Sequence, residues 1–134
     1  MTARQLDILQ HSTIDYESRV ADWVNTRIGP AHMHRRERAM RLLEEALELA
    51  QSEGITEPQA LAQIVYTFNR IPGEAFQEAG GVAACLLGWC ASVGITLQEV
   101  AEAELKRMEA KPLEEIRASL ARKNDADLVT VVEA

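Results

Sequence analysis

The chain has 134 residues, of which 47% are hydrophobic, 26% charged and only 4% aromatic, with a formal net charge of −7. That balance is apolar enough for one core and excludes a disordered chain, while the acidic excess argues against binding a nucleic-acid polymer, which needs a basic surface. No leader-like stretch opens the sequence, and the longest apolar run, AGGVAACLLGWCA at 79–91, is too short to span a membrane, so the expected setting is cytoplasmic.

A first helix is predicted over 15–28, DYESRVADWVNTRI, stopped by Gly29-Pro30. A second runs from about His34 to Ser52 and ends at Gly54. Thr56, Pro58 and Gln59 form a capping-box pattern that opens a third helix over 57–69, broken by IPGE at 71–74. A fourth, over 74–92, holds the apolar run and ends at Gly94. Thr96 and Glu99 suggest a second capping box, opening a fifth helix over 97–110. After Pro112, LEEIRASLARK (113–123) reads as a short last helix. The tail from 124 on, including ADLVTVVEA, is strand-like in composition without a hairpin partner; it either frays or docks on another chain.

Short connections between long helices predict an all-α fold: an antiparallel bundle of four to five main helices in a single domain spanning 1–134. The fourth helix is apolar nearly all round and rich in Ala and Gly, so it is expected to be central. One domain of this size does not readily cover such a helix, which predicts a homodimer or homotetramer. Cys85 and Cys90 are five residues apart on that helix and point in different directions, so they read as buried thiols, unpaired.

The candidate chemistry begins in the second helix. On a wheel of about 100° per residue, Ala39, Met40, Leu42, Leu43, Ala46 and Leu47 share one half. Glu44, Glu45 and Glu48 occupy the other with Arg38 and Arg41. Alone this is a solvated face. It is also how one wall of a Mg²⁺ site is built in a helical bundle, because Mg²⁺ takes oxygen ligands and like charges three and four residues apart need a cation to offset them. Glu78, at the start of the fourth helix, is the best candidate for the opposite wall.

EEALE (44–48), a helix break, and EAGG (78–81) heading a small-residue helix resemble the MazG-like all-α nucleoside triphosphate pyrophosphohydrolases, whose pattern is E-E-x-x-E and then E-x-x-D. GITLQEVAEAELKRM (94–108) resembles the segment that follows in that family, so the resemblance covers about 35–110. It implies an oligomeric helical bundle that hydrolyses a nucleoside triphosphate to monophosphate and pyrophosphate with Mg²⁺, or Mn²⁺, as cofactor. Glu45, Glu48 and Glu78 then match metal ligands, and Glu44 matches a residue that ligates or orients the attacking water. The chain departs from the pattern at Gly81, where the family has Asp, and at Glu104 and Met108, where it has Lys and Asn. The alternative is a non-catalytic relative that binds a nucleotide or a protein partner, activity having been lost with Gly81.

Glu104 falls inside the apolar stripe of the fifth helix. It is expected either to pair with Arg70, Arg107 or Lys111, or to replace the carboxylate missing at 81 as a metal ligand. Arg38, Arg41, Arg70 and Arg107 are the candidate phosphate contacts, although arginines so placed more often pair with neighbouring glutamates. His32 and His34 are expected to be an exposed pair and Trp89 a core residue. GxxxxGK is absent, which excludes a P-loop.

Overall fold

The computed structural model describes residues 16–128, and within them every regular element is helical: six helices and no strand. The predicted tail beyond 128 and Asp15 lie outside the described residues. Helix α1 runs from 16 to 23 as α-helix and continues over Val24–Ile28 with π geometry, and Gly29 N–H closes it onto the Val24 carbonyl at 2.8 Å. A 3₁₀ turn, Pro30–Met33, leads into α2 (Arg35–Ser52). The later helices are α3 (Glu57–Phe68), α4 (Ala75–Val93), α5 (Leu97–Ala110) and α6 (Leu113–Asp125). No single helix among the described residues is long and apolar enough to cross a membrane.

Local chemistry sets these boundaries. The Gln59 N–H donates to Thr56 Oγ1 and the Thr56 N–H donates to Gln59 Oε1, so the predicted capping box of α3 is formed. Thr56→Ala is expected to cost about 1 kcal/mol, read as a lowered urea midpoint with unchanged m; an unmoved midpoint would show that the box contributes nothing. Gly54 (φ 83°) and Gly94 (φ 74°) stop α2 and α4 in the left-handed region that a side chain disfavours. Glu74 caps α4 by accepting from Phe76 N–H and Gln77 N–H, both at 3.0 Å, a role its sequence position did not announce.

The chain divides into two compact units. The first comprises the residues up to Met40 and from Gln98 onward. Here α6 and the 3₁₀ turn both pack on the π segment. Among the described residues, Val24, Leu105 and Ile116, one each from α1, α5 and α6, are its buried apolar residues. Arg19 ties α1 to α5 by donating to Glu102 at 2.8 Å and to Glu109 at 3.0 Å, and Trp23 Nε1 donates to the Met108 carbonyl at 2.9 Å.

The second unit, Arg41–Leu97, is built differently. Its one buried residue is Cys90, and along α3 and α4 most side chains are exposed. Within the single chain, α4 is therefore not covered on several sides. Cys85 is exposed as well, so only Cys90 fits the expected buried thiol.

Two of these features carry a pH dependence. The Arg19 guanidinium holds the Glu102 carboxyl below the ordinary value of 4.5, and the backbone N–H groups of Phe76 and Gln77 do the same for Glu74. Both groups stay ionised more readily folded than unfolded, so their stabilisation is present above pH 4.5 and disappears as the pH falls through their lowered values. Thermal midpoints measured from pH 6 downward are expected to fall below about pH 4.5, with a smaller fall in Glu74→Gln. An identical acid profile in that variant would remove Glu74 from the account.

Candidate functional site

The acidic motifs fall where the helical reading puts them. Glu44, Glu45 and Glu48 lie in the middle of α2, and Glu78 lies in the first turn of α4, on two helices of the same compact unit. Their environments differ. Glu44 is half-buried and accepts a 2.7 Å hydrogen bond from Arg41, one turn earlier on the same helix. Glu45 and Glu48 are exposed. Glu78 is also exposed, and its carboxylate folds back over Gly73, into the space a Cβ there would fill. A side chain at 73 would displace that carboxylate, which lies at the end of a flexible, exposed side chain.

Glu104 belongs to the other unit and is not buried. Its carboxylate accepts two hydrogen bonds from Arg107, at 2.8 and 2.6 Å. The expected ion pair is present, but the expected burial is corrected: Leu105, the next residue, occupies the buried position of α5 and turns Glu104 outward. Among the candidate phosphate contacts, Arg38 approaches Glu37 at 3.9 Å and Arg41 holds Glu44. Arg70 lies over the Tyr66 ring at 4.8 Å, and Arg107 holds Glu104. The arginines thus follow the helix-pairing reading at Arg38, Arg41 and Arg107.

Among the described residues, no group of three or more His, Cys, Asp or Glu side chains is arranged to hold a metal ion. Glu45, Glu48, Glu78 and Glu104 are thus not gathered into such a group within the single chain.

Sequence reading missed Glu37, whose carboxylate is only 1% exposed although it stands among four arginines at the start of α2. His32 Nδ1 lies 3.4 Å from its Oε1, so His32 turns inward toward Glu37, and neither it nor His34 is fully exposed as expected. The available signal was the 3₁₀ turn: Pro30 and Gly29 fold 30–33 back so that a residue five positions upstream reaches Glu37. Trp89 is half-buried, and its Nε1 is buried without a hydrogen-bond partner.

The first unit also carries a cavity of about 260 Å³ lined by Arg19, Asp22, Trp23, Thr26, Arg27 and Glu109. Arg19 is engaged by Glu102 and Glu109, and Arg27 donates to the Glu109 carbonyl at 3.2 Å. The cavity is smaller than the usual range for small-molecule sites, about 300–1,000 Å³, and its cationic groups already serve to join α1 to α5. No protein-family model, no curated protein and no solved structure matches this chain.

Proposed function

We propose that the chain is a divergent nucleotide pyrophosphohydrolase acting on a nucleoside triphosphate with a divalent cation, Mg²⁺ or Mn²⁺, in the cytoplasm. One observation carries this reading: EEALE and the Glu78 of EAGG sit on two separate helices of one compact unit, the arrangement that the MazG-like resemblance requires. Glu45 and Glu48 are three residues apart and exposed, so they face one way along α2. The free thiols of Cys85 and Cys90 suit a reducing compartment.

A second reading is favoured by specific contacts: the chain is a non-catalytic relative that binds a nucleotide or a protein. Arg41 occupies Glu44, Arg107 occupies Glu104, and position 81 is a glycine with no side chain to offer. With three candidate groups engaged or absent and the acids not gathered, the site as folded lacks the ligand count of an oxygen-rich cation centre.

Pyrophosphate release separates the two. The protein is incubated with each common NTP and dNTP in Mg²⁺ or Mn²⁺. The enzyme reading expects turnover that falls about 100-fold or more in Glu48→Gln, the scale of weakening the cation that would stabilise the charge on a transferring phosphoryl group. No turnover with any nucleotide, or turnover indifferent to Glu48→Gln and Glu78→Gln, sinks it. Turnover absent but a nucleotide-dependent thermal shift present supports the non-catalytic reading.

A further inference from the structure

The cavity on the first unit holds charge that the fold itself leaves unspent. Arg19 is committed through its guanidinium nitrogens to Glu102 and Glu109. Arg27 is committed only in part: its Nη2 donates to the Glu109 carbonyl, and its other N–H groups have no partner among the described residues. The Asp22 carboxylate lines the same cavity and accepts no hydrogen bond from a described residue. Asp22 and Arg27 do not pair with each other, so one acceptor group and one donor edge stay open side by side on α1. Thr26 and Arg27 also lie in the π segment, a geometry that is rare and recurs at functional sites.

We propose that this cavity binds a free α-amino acid, with its carboxylate on Arg27, its ammonium on Asp22 and its side chain along Trp23. This does not rest on the pyrophosphohydrolase reading, whose Glu45, Glu48 and Glu78 belong to the other unit.

Three observations select that ligand class. The first is charge. A simple anion would meet the Asp22 and Glu109 carboxylates, and a simple cation would meet Arg27; a zwitterion gives each open group an opposite charge and a charge-assisted hydrogen bond. Glu109 stands in the last turn of α5, whose negative end further favours the ammonium. The second is size. At roughly 30 Å³ per water-sized group, a cavity of about 260 Å³ holds about nine non-hydrogen atoms, too few for a nucleotide and enough for one amino acid. The third is preorganisation. The Trp23 indole is fixed by its Nε1 bond to the Met108 carbonyl, and Arg27 is held at one end by the Glu109 carbonyl. Both therefore have little freedom left to lose on binding.

Calorimetric titration of the full chain with L-leucine, a molecule of that size, tests this. Saturable binding is expected with Kd about 1 mM or tighter, and n-butylamine and butyrate, each carrying only one of the two charges, are expected to bind at least about tenfold more weakly. Trp23 fluorescence in a Trp89→Phe background is expected to change along the same isotherm, which places the ligand against this wall. Asp22→Asn and Arg27→Gln are each expected to weaken binding about tenfold or more. Should Arg27→Gln unfold, Asp22→Asn decides, because its side chain makes no hydrogen bond to a described residue that the change would break. No saturation by about 10 mM overturns the proposal. So does binding that Asp22→Asn leaves unchanged, or that butyrate or n-butylamine matches.

Discussion

Leu105→Ala is expected to destabilise the first unit by about 3 kcal/mol, within the range for emptying a filled leucine site. Leu105 is 3% exposed and, with Val24 and Ile116, makes up the buried apolar residues of that unit among the described residues. A core this small has little capacity to collapse around a lost side chain, so the cavity persists and the cost stays near the middle of the range. The same helix carries the partners of Arg19 and Trp23, so loosening α5 also loosens the Glu102, Glu109 and Met108 contacts. Urea denaturation followed by Trp23 fluorescence in a Trp89→Phe background reads this unit. The expected result is a lower midpoint with unchanged m; a loss under about 1 kcal/mol would show that Leu105 is not a core residue. Leu105→Met, which nearly conserves volume, should cost less than about 1.5 kcal/mol.

Glu37→Ala is the second large effect, expected at about 3 kcal/mol. Its carboxylate is buried, with His32 Nδ1 at 3.4 Å and Arg38 at 3.9 Å. Removal leaves a cavity and deprives the inward-turned His32, whose side chain is 12% exposed, of the carboxylate beside its Nδ1. Glu37→Met tells why the charge is there. Methionine fills nearly the same volume, so if Glu37 serves packing alone the variant is near neutral, as volume-conserving swaps usually are. If the carboxylate anchors the 3₁₀ turn through His32, Met loses nearly as much as Ala does, and the His32 ring becomes accessible. Paired midpoints for the two variants, with the His32 imidazole resonances followed by NMR, decide this. Glu37→Ala within 1 kcal/mol of the parent would sink both accounts.

These two residues show how unevenly the sequence speaks. Leu105 was legible as a member of the apolar stripe of α5, because burial on a helix recurs with the helical period. Glu37 was not, since its partner arrives through a turn and not through helical spacing. Glu104 shows the opposite error: a wheel placed it in the stripe, but a wheel marks the centre of a face only to within a residue, and Leu105 took the buried position. The order of the helices, the capping box at Thr56 and the glycine stops at 54 and 94 were all readable, since each depends on chemistry a few residues wide.

The candidate site divides along the same line. That Glu45, Glu48 and Glu78 would lie on two different helices followed from spacing and breaks. Which acids Arg41 and Arg107 engage, and the fold of the Glu78 carboxylate over Gly73, did not follow from spacing alone. Arginine reach allows several partners at three and four residues, and the choice among them depends on rotamers and on what else is nearby.

By itself the sequence determined an all-α chain, the limits of its helices to within a few residues, and the near absence of charge along α3 and α4, where only Glu57 and Glu78 are charged, because propensity, caps and periodicity act locally. Only the tertiary structure decided that the chain forms two units, that Glu37 is sealed in one, and that the apolar helices of the other stand exposed. Those outcomes depend on which faces meet across many residues, and a helical period states that a face must be covered without stating by what.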